Sequence, residues 1–275
     1  MRIVLPLVLL FLLPALVLAN GEDDHTVEVG QTIEEEIKGT SITLIFWGSL
    51  LLGLLILIAL LHKNKGEREK KLLFGLIVVS VVVVTAYVMG STIYLNTISV
   101  TGGPVHWHAD FEVWNCGERL DLTDPTGFEN RVGSSMFHEH GDDRIHVEGV
   151  VVDYDDVTLH RFFELAGGDL TNERLVYPTT TGVVDVSNGD LCNGQPGTLQ
   201  AFLYRLTNPD PTKRSGFVAV QEKLDDIAGY VPAPYSNIPP GDCIIIEFTE
   251  EDKPSTENIC TTYRIAIERG DLTLR

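Results

Sequence analysis

Residues 102–117 read GGPVHWHADFEVWNCG. From His106 to Val113 the side chains alternate. Trp107, Ala109, Phe111 and Val113 are apolar, whereas His106, His108, Asp110 and Glu112 are polar. A β-strand turns successive side chains to opposite faces, so this alternation predicts a strand with an apolar floor and a polar upper face. Asn115–Cys116–Gly117–Glu118 then reads as a tight turn and RLDLTD as a returning strand. The two histidines share the polar face, with Cβ atoms about 6–7 Å apart. From that spacing two imidazoles can reach one ion at ~2.0–2.2 Å from each ligating nitrogen.

The pattern recurs downstream. Five of the eight histidines fall within 106–146, arranged as His106-x-His108, His138-x-His140 and His146-x-Glu148. A lone HxH on a strand is ordinarily two solvated histidines. Three i, i+2 pairs in about forty residues point instead to a metal site assembled by strand pairing, with His106, His108, His138, His140, His146 and Glu148 as candidate ligands. Imidazole with carboxylate suits a divalent transition metal, Zn or Cu first, with Fe or Mn also compatible. Asp110, Glu112, Glu139, Asp142 and Asp143 read as further ligands, as partners that orient an imidazole, or simply as solvated acids. His25, His62 and His160 stand apart and are not assigned to the site.

The same stretch carries two resemblances that stop short. HWHADFE has the HxHxxxE order of the first cupin motif, but no second PxGxxHxxxN motif follows. HWHAD resembles the HxHxD of metallo-β-lactamases, which continue with histidine where this chain has Phe111. HExxH, GxSxG, P-loop and GxGxxG signatures are absent. A longer resemblance joins all the motifs. The order HxH, strand, turn, strand, HxH, IHVE and a TL..FF helix resembles a group of exported or membrane-anchored bacterial and archaeal proteins of uncharacterised function. Their corresponding stretches look like HAHL and LHTHD…GIIHIES…TLGQFF. Here the matching positions are His106 and His108, His138 and His140, Ile145–Glu148, then Thr158, Leu159, Phe162 and Phe163. The spacer before His146 is one residue shorter, and a GDxIxIEF-type strand follows at 241–248. The resemblance covers most of 102–248. It implies one folded unit around the histidines and brings no activity with it.

Upstream, residues 41–61 and 72–95 carry no charge. Each exceeds the ~18–20 residues that cross a bilayer as a helix, so 41–62 and 72–95 are predicted transmembrane helices. Between them, 63–71 completes the stretch HKNKGEREKK (62–71), with five Lys or Arg against two Glu, which the positive-inside rule places in the cytoplasm. Residues 1–19, with Arg2 before a long apolar run, have the layout of a signal peptide, and 20–40 form an outer acidic segment. Everything from 96 onward is then extracytoplasmic.

That outer part holds 30 acidic against 13 basic residues of a chain whose net charge is −19, so nucleic acid and anionic headgroups are poor partners and cations good ones. All four cysteines, Cys116, Cys192, Cys243 and Cys260, lie in it, which in an oxidising compartment reads as two disulfides of open pairing. The expected fold class is α+β: two membrane helices, a histidine-rich β module at 96–170 with one short helix (LHRFFELA), and a β-rich, β-grasp-like module at 171–275. In the latter, LVYPTTTGVVDV, TLQAFLYRL, GFVAVQ, DCIIIEF and TTYRIAI read as strands and EKLDDIAGY as a short helix. The first functional expectation is a membrane-anchored metal-binding protein. The alternatives are a metal-dependent oxygenase or hydrolase using Glu112 or Glu148 as base, and a surface interaction module with structural histidines.

Overall fold

The computed structural model describes residues 32–126, 128, 130–207, 216–232 and 241–275. The signal-peptide reading of 1–19 and the acidic stretch 20–31 lie outside the described residues. Helix α1 (Ile33–Leu61) begins in a capping box, in which Thr32 Oγ1 accepts from Glu35 N at 3.2 Å and Thr32 N donates to Glu35 Oε2 at 3.1 Å. Helix α2 (Glu67–Ile98) follows after a five-residue link. Both are longer than the uncharged segments predicted for them, because the acidic turn at 33–40 and the basic turn at 67–71 are themselves helical. At 1.5 Å per residue, 29 and 32 residues extend about 43 and 48 Å, more than the ~30 Å of a hydrocarbon core. The two are long and apolar enough to cross a membrane, and side chains such as Leu60, Leu61 and Phe74 are exposed. They meet where Gly48 faces Val84, close enough that a Cβ at Gly48 would stand 2.7 Å from Val84 Cγ2.

The remainder is the β-rich domain of an α+β chain. In order, its main elements are β1 (Pro104–Asn115), β2 (Glu118–Leu120), β3 (Val132–Gly133), β4 (Phe137–Glu139), β5 (Arg144–Val150), α3 (Leu159–Leu165), β6 (Asp169–Leu170), β7 (Arg174–Thr179) and β8 (Gly182–Ser187). There follow β9 (Leu191–Cys192), β10 (Gln195–Pro196), β11 (Thr198–Thr207), β12 (Phe217–Lys223), β13 (Asp242–Thr249), α4 (Thr261–Glu268) and β14 (Leu272–Leu274). One mixed sheet runs β14-β12-β11-β13-β1-β5-β4-β3, with β2 also on β1. β1 is central, parallel to β13 on one edge and antiparallel to β5 and β2 on the other. β6-β7-β8 and β9-β10 form two small separate sheets.

The strands from 171–275 do not close into a module of their own. β13 inserts between β11 and β1, so the sheet crosses the sequence boundary drawn at 170/171. A parallel pairing between residues 109–115 and 242–248 leaves no local trace in either segment.

The apolar floor is as the alternation predicts. Trp107, Ala109, Phe111 and Val113 join Phe137, Ile145, Val147, Phe162, Phe163 and Ile246 in the main core. Thr158 caps α3 by accepting from Arg161 N at 3.2 Å, and α3 lays Leu159, Phe162 and Phe163 on that floor. The opposite face is covered over only part of its width. There Tyr263 of α4, with Phe202, Tyr204, Cys243, Ile245 and Leu272, forms a second core over β11–β13. TTYRIAI is therefore a helix, not the strand its β-branched residues suggest. EKLDDIAGY is not a helix: Glu222 and Lys223 end β12 and the rest is turn. The cysteines pair as Cys116–Cys192, tying β1 to β9, and Cys243–Cys260, tying β13 to the start of α4.

Candidate metal centre

α4 covers the β11–β13 half and the Asp110–Glu112 end of β1, and the histidines stand beyond it, on the first half of β1 and on β5 and β4. Register does the assembling. His106 lies opposite Glu148 and His108 opposite His146 across the β1–β5 pair. On the other edge of β5, His146 lies opposite His138. The three i, i+2 pairs thus occupy three adjacent strands with His146 in the middle.

Two ligand groups result. In the first, one atom each of His106, His108, His146 and Glu148 lie within 4.8 Å of one another; in the second, so do atoms of His138, His140 and His146. His106 Nε2 stands 3.0 Å from His108 Nε2 and 3.0 Å from Glu148 Oε1, and His138 Nε2 stands 3.1 Å from His140 Nε2. Two nitrogens bound tetrahedrally to one ion would be about 3.3 Å apart, given metal–nitrogen distances of ~2.0–2.1 Å. The imidazole pairs are thus already near the separation a shared ion needs, held there by hydrogen bonding between the rings. His140 Nδ1 is 2.5 Å from the Asn130 carbonyl oxygen, which orients that ring with Nε2 toward His138.

His146 is largely enclosed, with a side chain 12 % exposed, yet neither of its ring nitrogens has a hydrogen-bond partner. A buried polar atom left unpaired costs about 1–3 kcal/mol, and native folds seldom keep two on one ring without a ligand for them. Burial, reinforced by neighbouring His108, pushes the His146 pKa down to about 4. Burial also lowers those of His108 and His138. Neutral imidazole is the metal-binding form, and the lowered pKa values favour that form for these three rings.

The acids divide sharply. Glu148 is half-exposed and faces the first group, while Asp142 Oδ2 is 3.7 Å from His146 Nε2. Asp110, Glu112 and Glu139, expected as ligands or solvated groups, are instead buried and occupied elsewhere. Asp110 accepts from Arg144 Nε at 2.6 Å and from the Thr262 hydroxyl, and burial nevertheless holds its pKa above the ordinary carboxylate value. Glu112 Oε1 accepts from the backbone N and hydroxyl of Thr261 at 3.1 and 3.2 Å, so it caps α4 and is not poised as a base. Glu139 Oε1 accepts from Asp142 N at 2.5 Å and Asp143 N at 3.1 Å, which shapes the turn carrying Asp142. Asp143 pairs with Arg119. His160 lies off this face and is held by the Leu170 carbonyl at 2.8 Å from Nδ1.

Sequence reasoning missed four residues that position the site. Asn130 orients His140, Thr261 and Thr262 occupy the acids beyond His108, and Gly241 lets β13 approach His108. Thr261, Thr262 and Gly241 lie more than 130 residues from their partners, where no spacing rule reaches.

Compared with protein-family models, with curated proteins and with solved structures, the chain matches none.

Proposed function

We propose that this chain is a membrane-anchored, extracytoplasmic protein that binds a divalent transition metal, Zn or Cu first, through His106, His108, His146 and Glu148, with His138 and His140 alongside. The observation that carries the reading is His146: a ring enclosed among other imidazoles, with both nitrogens free of hydrogen bonds, inside two sets of converging ligand atoms. Four imidazoles around His146 with carboxylate at the rim match the preference of borderline metals, whereas Ca or Mg would ask for an all-oxygen shell. The anchoring half rests on the two long apolar helices, and the outward orientation on the basic link between them and on cysteines paired as disulfides. α2 leads almost directly into the site. Ser99 Oγ and Val100 N donate to the Val151 carbonyl, at 2.9 and 3.1 Å, just past β5, and β1 begins at Pro104. The histidines would then work close to the outer leaflet, in capture, storage or sensing of metal.

The test is elemental analysis of the full chain purified in detergent, as isolated and after incubation with Zn(II) or Cu(II). Bound metal is expected, and the His106→Ala/His108→Ala double variant should retain at most a tenth of the affinity while keeping its circular dichroism spectrum. A protein that stays metal-free with both ions overturns the proposal.

A further inference from the structure

Resting on that reading, we infer that the histidine face holds two divalent ions bridged by the ring of His146. The two ligand groups share His146 and nothing else. Its strand is the middle one, with His108 directly across on β1 and His138 directly across on β4. The ring's two nitrogens are turned to opposite ends of the face. Nδ1 is the one nearest Glu148 Oε1, at 3.9 Å, on the side of His106 and His108. Nε2 is the one nearest Asp142 Oδ2, at 3.7 Å, in the turn that follows His138 and His140. Its plane is perpendicular to that of His108, with centroids 4.7 Å apart, and parallel to that of His138, with centroids 5.4 Å apart.

A single ion would use one nitrogen and leave the other unpartnered in an enclosed position. Two ions use both. The first set supplies His106, His108, Glu148 and His146 Nδ1; the second supplies His138, His140 and His146 Nε2, with Asp142 Oδ2 3.7 Å from that nitrogen. The first is three imidazoles and one carboxylate and the second three imidazoles, compositions suited to Zn(II) or Cu(II). The chemistry balances without a redox partner. The first ion takes the lone pair of the neutral ring. The second takes the place of the remaining ring proton, which leaves to water, so His146 ends as an imidazolate between two cations. Two added cations also fit a surface that carries 30 acidic against 13 basic residues from position 96 on.

Copper titration of the metal-free full chain in detergent decides it, with bound copper counted by elemental analysis and followed by electron paramagnetic resonance. Two Cu(II) per chain are expected. Because an imidazolate couples the two spins antiferromagnetically, the low-temperature signal per bound copper should fall several-fold between the first and second equivalent. The His138→Ala/His140→Ala variant should bind one copper with full signal. Two coppers that keep full, independent signals overturn the bridge, and a wild-type limit of one copper overturns the second position. Either result leaves the simpler metal-binding reading standing, whereas no bound copper or zinc removes both.

Discussion

The backbone of His108 depends on a glycine 133 positions away. Gly241 enters β13 at φ +91, and a Cβ there would overlap the His108 carbonyl oxygen. Both the left-handed backbone and the close approach require the absence of a side chain. Gly241→Ala should therefore cost about 2 kcal/mol or more in chemical denaturation and should weaken metal binding by displacing His108. Gly102 is the control. Its φ is +72, but open space surrounds the position of a Cβ, so Gly102→Ala should show the backbone term alone, about 1 kcal/mol. Next to Gly241, Asp242 is buried and accepts from Tyr230 Oη at 2.8 Å. Burial raises its pKa above 3.8 although Tyr230 and Arg205 oppose the shift, and Glu222 adds to it. A carboxyl whose folded pKa exceeds its unfolded one stabilises the fold while protonated. That contribution is complete below the unfolded pKa and is lost as pH rises through the folded one. Asp242→Asn should accordingly flatten the decline of stability with pH on the acid side above about pH 4, as read from denaturation midpoints across that range.

At the scale of elements, the alternation of HWHADFEVW was sufficient for β1, and capping plus periodicity were sufficient for α3, because those signals are local. α4 shows where local signals end. Its Thr and Ile content favours a strand, but Glu112 supplies the cap that Cys260 does not, and Tyr263 buries its ring with its hydroxyl donating to the Gly241 carbonyl at 2.6 Å. Both partners come from strands that meet only in the folded sheet, so tertiary packing overrides propensity. The same contact changes the meaning of the polar face of β1. His106 and His108 remain in the open, whereas Asp110 and Glu112, identical in strand phase, are roofed over by α4. Glu112→Ala should destabilise the chain by about 1–3 kcal/mol, the cost of stranding the donors it satisfies, and leave the metal content unchanged. A loss of metal with stability intact would instead return Glu112 to the ligand set. The candidate histidine ligands were legible as three spaced pairs; that they meet around His146 was not, since antiparallel register is set by turns and long-range pairing.

For the molecule as a whole, the sheet, the disulfides and the two long apolar helices serve one arrangement. The roof over the sheet is pinned by Cys243–Cys260, which closes a loop of 17 residues and should contribute about 3 kcal/mol by restricting the unfolded chain. The Cys243→Ser/Cys260→Ser variant should lose that stability in denaturant while its histidine face still binds metal. Placing that face outside the cell rests on the charge of the link between α1 and α2, where Lys63, Lys65, Arg68, Lys70 and Lys71 outnumber Glu67 and Glu69. All four native cysteines are paired, so a single introduced cysteine reports its own side of the membrane. With a membrane-impermeant maleimide on intact cells, Glu173→Cys, exposed in the β-rich domain, should be labelled, and Lys65→Cys only after the cells are opened. Labelling of Lys65→Cys on intact cells, with Glu173→Cys protected, would turn the chain around. The histidine face would then stand in a reducing compartment in which its two disulfides would not be expected to persist.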